Sequence, residues 1–159
     1  MTTWIYPGSF DPFTLGHANI AERAARLCDQ LYVSVLINHE KPGVFSRQER
    51  LELARKSLEA YENIHVILYE GLLIDLVKET QAACVVRGLR SESDFRYEAE
   101  MAAANRMLYP DYEVLLLPCR PDLAFTSSGI VREVARFGGD ISSMVPAAIV
   151  EDVKQKFKP

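Results

Sequence analysis

The chain has 159 residues, with 18 Lys+Arg against 22 Asp+Glu and a formal net charge of −4. A composition of 48% hydrophobic and 25% charged residues excludes disorder and fibrous repeats, and the length suits one domain, 1–159, able to bury roughly 70% of its unfolded surface. The weakly acidic balance excludes a general nucleic-acid binder, which would carry a basic face, but leaves room for a small polyanion held by a few local cations.

Short β-rich runs alternate with helical patterns from end to end. Thr3–Tyr6 is the first predicted strand, followed by a helix over Gly16–Cys28 with Ile20, Ala24 and Leu27 on one buried face. The second strand, Leu31–Ile37, precedes Ser46-Arg-Gln-Glu49, a capping box opening a helix to about Tyr61. Then come strand Ile64–Tyr69, helix Leu72–Thr80, strand Cys84–Val86 and a helix over Ser93–Leu108 stopped by Pro110. Strand Glu113–Leu117 and helices Ser128–Phe137 and Pro146–Lys156 complete the pattern. Strands joined by helices run parallel, and right-handed crossovers make a Rossmann-like, doubly wound, five-stranded α/β sheet the default. Its ligands belong beyond the carboxyl ends of the strands, where the winding reverses.

The apolar runs, such as Val114–Pro118, are far short of the roughly 20 residues of a membrane helix. Met1-Thr-Thr-Trp4 lacks the pattern of a secretory signal. Cys28, Cys84 and Cys119 are widely spaced, with no CxxC pair, and read as buried structural thiols of a cytoplasmic protein. No membrane or nucleic-acid partner is expected.

The densest set of turn formers and polar groups is Tyr6-Pro-Gly-Ser-Phe-Asp-Pro-Phe-Thr-Leu-Gly-His17. Gly8 would allow close approach of a ligand, and Gly16-His17 opens a helix whose unpaired N–H groups and positive dipole suit a phosphate, with His17 adding a side-chain donor. A tight β–α connection with a satisfied histidine is the plain alternative. Arg87 and Arg90, three apart at a strand's carboxyl end, sit where such folds bind ligands. Other positions have bland readings of their own. Lys41 reads as a solvated loop lysine, Asp94 and Glu98 as a solvated acidic helix face, and Ser127-Ser128 as a helix N-cap that also suits phosphate. Tyr97, Met101 and Leu108 read as core packing, and His39 and His65 as surface residues rather than metal ligands. Neither a Walker loop nor GxGxxG occurs, which argues against a P-loop kinase and a dehydrogenase.

Taken whole, Pro7-Gly-Ser-Phe-Asp-Pro-Phe-Thr14-Leu-Gly-His17 resembles the motif of the T/HxGH nucleotidyltransferases, and Thr14 favours their phosphopantetheine adenylyltransferase branch. The resemblance continues through Asn38-His-Glu-Lys41-Pro-Gly-Val-Phe45, Arg87-Gly-Leu-Arg90, Asp94-Phe-x-Tyr97-Glu98, Met101-x-x-x-Asn105-Arg106-x-Leu108 and Phe125-Thr-Ser127-Ser128-Gly129-Ile-Val-Arg132-Glu133.

The resemblance implies transfer of the adenylyl group of ATP to 4′-phosphopantetheine, giving dephospho-coenzyme A and pyrophosphate. Its nucleophile is already an anionic phosphate, so positioning and charge relief suffice in place of a catalytic base. By the family pattern His17 stabilises the transition state, and Ser9 contacts the acceptor phosphate near the reacting centre. Lys41, Leu73 and Arg87 hold the acceptor. ATP meets Ser9, Phe10, His17, Gly88, Leu89, Arg90, Glu98 and the segment Leu123, Ala124, Phe125, Thr126, Ser127, Ser128, Gly129. Mg2+ is expected with ATP, bound through phosphate oxygens and water with no protein metal site. A homohexamer restrained by coenzyme A is also implied. Two residues depart from the pattern: Ser9 stands where threonine is common, and Gly129 replaces a third hydroxyl residue. A related adenylyl- or cytidylyltransferase with another acceptor, or a non-catalytic nucleotide-binding domain, are the alternatives.

Overall fold

The computed structural model describes residues 1–37, 39–40 and 42–159. Five parallel strands, β1 (Thr3–Gly8), β2 (Gln30–Leu36), β3 (Ile64–Tyr69), β4 (Cys84–Leu89) and β5 (Val114–Pro118), form one sheet in the order β3-β2-β1-β4-β5. Helices α1 (Leu15–Ala25), α2 (Arg47–Leu58), α3 (Leu73–Thr80), α4 (Glu92–Leu108), α5 (Ser128–Arg136) and α6 (Val150–Lys156) follow in the predicted sequence. Short 3-10 turns occupy Pro121–Leu123 and Ala147–Ile149.

Successive strand residues face opposite sides of a sheet, and here they feed two cores. Leu31, Val33, Val35, Tyr6 and Val86 join Ile20 and Ala24 of α1, Leu53 of α2, Val131 of α5 and Val153 of α6. Ile5 and Val85 join Ile74 and Val77 of α3 and Ala102 of α4 on the other face. The doubly wound expectation is therefore met.

The register opens the site. β1 pairs with β2 along its whole length, from Thr3 with Gln30 to Gly8 with Val35. With β4 it pairs only at Trp4–Cys84 and Ile5–Val85, whereas β4 continues beside β5 as far as Leu89 with Pro118. Past Ile5 and Val85 the two central strands part, which leaves a crevice at the point where the winding reverses. The continued β5 pairing also explains why β4 runs three residues beyond its predicted end at Val86 and carries Arg87 and Gly88 within the strand.

Three expectations about packing are corrected. α1 ends at Ala25, so Leu27 lies past the helix and is exposed instead of completing the buried face. On α4 the buried positions are Glu98 and Ala102; Tyr97 and Met101 each precede one of them by a residue, roughly 100° around the helix, and are exposed, as is Leu108. The three cysteines are free and only half-buried. Burial still raises the thiol pKa values of all three, to about 11 for Cys28.

His39 and His65 lie at the surface, His39 against Glu70 and His65 against Gln30. The α2 capping box forms as read: Ser46 Oγ accepts from the Glu49 N–H, and the Glu49 carboxylate accepts from the Ser46 N–H at 2.6 Å.

Leu31 is fully buried in β2 between the two neighbouring strands. Leu31→Ala removes three carbons from a packed core and is expected to destabilise the fold by about 2–5 kcal/mol. Urea unfolding checks it; a loss under about 1 kcal/mol would contradict this packing.

Candidate active site

The crevice is a cavity of about 440 Å³ whose wall includes Gly8, Ser9, Phe10, Gly16, His17, Arg87, Gly88, Arg90, Glu98, Thr126, Ser127, Ser128 and Gly129, a size typical of small-molecule sites. Most of the predicted site residues thus converge from four separate stretches of chain. Leu73 instead opens α3 and packs on the second core, while Leu89 ends β4. Leu123, Ala124 and Phe125 form the turn leading to α5. Lys41 lies outside the described residues. Tyr6, Thr14, Ile20, Asp94, Tyr97, Cys119 and Arg132 line the cavity without having been picked out as ligand contacts.

The expected phosphate cradle at the start of α1 is corrected. There the Leu15 N–H donates to Met144 O at 2.9 Å, the Gly16 N–H to Thr126 Oγ1 at 3.2 Å and the His17 N–H to Thr14 Oγ1 at 3.2 Å. These N–H groups are satisfied by the protein itself. Gly16 also meets a packing constraint: a Cβ there would lie 2.9 Å from Thr126 Oγ1, which donates to Leu123 O at 2.7 Å. Gly8 likewise makes room for protein, since its Cβ would sit 2.8 Å from the Phe10 ring.

What α1 does present is the His17 side chain. The Thr14 N–H donates to His17 Nδ1 at 3.0 Å, completing a capping box with histidine in the position usually held by glutamate or glutamine. A backbone N–H only donates, so Nδ1 must accept, and the ring proton sits on Nε2. Phe10 and Phe13 pack against the ring, with centroids 5.0 and 5.5 Å away. Burial, then the charges of Arg90 and Arg87, hold the His17 pKa down to about 3. His17 is therefore a neutral donor of one fixed proton.

Arg87 of β4 and Arg90, just past its end, meet two carboxylates of α4, Glu98 and Asp94. Arg87 Nε donates to both Glu98 oxygens at 3.0 Å, Arg87 Nη2 lies 2.9 Å from Glu98 Oε1, and Arg87 Nη1 donates to Pro7 O at 2.7 Å across the parted strands. Burial works against this guanidinium, but the hydrogen bonds and charge of Glu98 prevail and raise its pKa. Asp94 accepts from the Arg90 N–H at 2.9 Å and lies 3.7 Å from Arg90 Nε. The acidic face read from the α4 pattern is thus not solvated; Glu98 is buried and paired.

α5 supplies the helix N-terminus that α1 does not. Ser127 caps it, accepting from the Ile130 N–H at 3.2 Å, and the N–H groups of Ser128 and Gly129 open its first turn at the cavity wall, without partners inside the helix. Ser128 Oγ donates to Pro12 O at 2.8 Å, so its hydroxyl proton is already used. A Cβ on Gly129 would meet nothing closer than 3.9 Å, where Arg132 Nη2 and Ser127 Oγ lie. Three arginines thus face this wall against the paired Asp94 and Glu98.

The fixed tautomer has a measurable pH signature. Native His17 stays neutral down to about pH 3, while the unfolded residue takes a proton near its ordinary 6.5. Between those values the unfolded state binds the extra proton, so this contribution to stability is present above about 6.5 and is lost as pH falls toward 3. Nitrogen-15 NMR of the ring is expected to show the Nε2–H neutral form at pH 5. A titration near pH 6.5 would refute the capping-box geometry.

The comparisons extend this picture. A family profile described as cytidylyltransferase-like matches residues 5–134. A phosphopantetheine adenylyltransferase from Clostridium botulinum strain Langeland is 45% identical over 156 residues, covering 98% of this chain and 95% of its own. One from Heliobacterium modesticaldum is 43% identical over 157 residues, covering 99% and 94%. A Vibrio parahaemolyticus structure described as a nicotinate-nucleotide adenylyltransferase shares the fold, with a TM-score of 0.74 over 96% of this chain and 99% of its own at 17% identity. With the crevice built from the same stretches of chain that carry the sequence resemblance, and with likeness along nearly its full length, the chain belongs to the cytidylyltransferase-like family and, within it, to the phosphopantetheine adenylyltransferases.

Proposed function

We propose that this enzyme transfers the adenylyl group of ATP to 4′-phosphopantetheine, releasing pyrophosphate and dephospho-coenzyme A, with residues 1–159 acting as one catalytic domain. The observation that carries the reading is the neutral His17 Nε2–H donor in a crevice lined by Arg87, Arg90 and Arg132. Such a set suits an attack that needs no proton removed. A phosphate oxygen of the acceptor bonds to the α-phosphorus of ATP as the bond to the β-phosphate oxygen breaks, and pyrophosphate leaves in line.

In this reading His17 Nε2–H donates to an α-phosphate oxygen as charge builds there, and keeps its proton throughout. Ser9 and Arg87 meet the acceptor phosphate, with Lys41 and Leu73 assigned to the acceptor from the resemblance. Arg90, the Ser127 hydroxyl and the N–H groups of Ser128 and Gly129 face the leaving phosphates, with Phe10, Gly88, Leu89 and Leu123–Thr126 assigned to the nucleotide side; Glu98, which the resemblance implies there, acts instead through Arg87, to which both its oxygens are bonded. Among the described residues no cluster of three or more acidic, histidine or cysteine side chains is placed to hold a metal ion, and Asp94 and Glu98 are taken by arginines. The chain therefore fits Mg2+ as an ion carried on the phosphates of ATP, where it offsets their charge.

No helix among the described residues is long and apolar enough to cross a membrane; the cytoplasmic location belongs to this proposal through the resemblance. Phe95, Tyr97, Met101 and Leu108 are exposed on α4, which supports burial between subunits of a homohexamer. Restraint by coenzyme A, which shares the pantetheine arm of the acceptor, belongs to the same proposal.

The test is incubation with ATP, magnesium and 4′-phosphopantetheine, with pyrophosphate and dephospho-coenzyme A as readouts. Folded protein that forms neither would sink the reading. His17→Ala is expected to lower kcat roughly a hundredfold or more, the usual effect of removing one transition-state donor, with ATP binding by calorimetry little changed. Collapse of ATP binding with surviving turnover at saturation would assign His17 to ground-state binding instead.

A further inference from the structure

Asp11 belongs to the first loop of the site but is outside the residues that line the cavity, and its carboxylate serves two other segments. Its Oδ1 accepts from the Phe45 N–H at 2.8 Å and its Oδ2 from the Val44 N–H at 3.0 Å. The fit is close enough that a Cβ on Gly43 would lie 2.9 Å from Asp11 Oδ2. From the other side Arg132 of α5 donates through Nη1 to Asp11 O at 2.6 Å, and the same nitrogen lies 3.7 Å from Asp11 Oδ2. One carboxylate, only 13% exposed, therefore joins the loop after β1, the segment before α2 and the helix whose N-terminus lines the cavity.

The two carboxylate oxygens accept one each from adjacent backbone N–H groups and lie within ion-pair distance of the Arg132 guanidinium, whose direct hydrogen bond goes to the Asp11 main-chain O. Removing the carboxylate leaves the Val44 and Phe45 N–H groups without their acceptor and Arg132 without its charge partner. We infer that Asp11 is a positioning residue: it fixes the segment Gly43–Phe45 against the reaction loop and holds Arg132 in register, so that acceptor affinity depends on a residue that does not touch the acceptor. This rests on the proposed reading that the segment following β2 serves the acceptor.

Asp11→Asn keeps the shape but replaces one acceptor oxygen by a donor and removes the charge. It is expected to raise the KM for 4′-phosphopantetheine about tenfold or more, the usual consequence of losing a charge-assisted hydrogen bond. The kcat at saturation should stay near wild type and the ATP KM should move less, through Arg132. Gly43→Ala is the companion variant, because it pushes the segment off an intact Asp11 without altering any charge. It should raise the acceptor KM severalfold and leave kcat and the ATP KM unchanged.

Amide hydrogen exchange at Val44 and Phe45 should speed up in both variants, a readout independent of turnover. If the wild type turns over no 4′-phosphopantetheine, the functional reading fails, and exchange alone judges whether Asp11 fixes the segment. An active wild type whose folded variants keep the acceptor KM would overturn the inference. So would a rise in ATP KM alone, or unchanged exchange. Should Asp11→Asn fail to fold, Gly43→Ala decides the outcome.

Discussion

Arg87 spans the gap where β1 and β4 stop pairing. Parallel strands that separate leave backbone carbonyls unpaired at the crevice, and Arg87 Nη1 takes up one of them, Pro7 O, at 2.7 Å. Its other face is fixed by both oxygens of Glu98, which in turn turns the 98/102 face of α4 toward the sheet and leaves Tyr97 and Met101 outward. A buried guanidinium without such partners would be costly; with them it is held charged and oriented at the mouth of the crevice. The cavity, the placement of α4 and the exposed apolar side chains on that helix all follow from this one ion pair at the switch point.

The same economy governs His17. Its backbone N–H and Nδ1 are both spent on Thr14, and its ring is enclosed by Phe10 and Phe13. Arg87 and Arg90 lower its pKa further by charge, after burial. The arginines that attract phosphate therefore also keep the histidine neutral. It suits donation to a developing negative charge, since a preorganised donor needs no rearrangement when the charge appears.

The fold was legible because its signals are local: alternating strand and helix patterns, the Ser46–Glu49 capping box and the Pro110 stop after α4 lie within single segments. The crevice was legible as a place, at the carboxyl ends of β1 and β4. What escaped were partnerships across long separations. Glu98 is eleven residues from Arg87, Thr126 is 110 from Gly16, and Asp11 is 33 and 34 from its two N–H donors. Helix periodicity alone makes Glu98 a surface acid and Tyr97 a core aromatic, because only the pairing with β4 sets how α4 is turned. The glycines show the same limit: a Cβ on Gly8 or Gly16 would collide with Phe10 or Thr126 of the protein itself. The −4 net charge, which excluded a broad basic surface, is compatible with three arginines gathered at one wall because Glu98 and Asp94 stand behind two of them.

The orientation of Arg87 by Glu98 is tested most directly by Glu98→Gln, which keeps the side-chain shape and removes its charge. Steady-state kinetics with each substrate varied in turn should show the KM for 4′-phosphopantetheine rising about tenfold or more, with the ATP KM close to wild type, because Glu98 acts by fixing the arginine assigned to the acceptor. A rise in the ATP KM with an unchanged acceptor KM would contradict this and place Glu98 on the nucleotide.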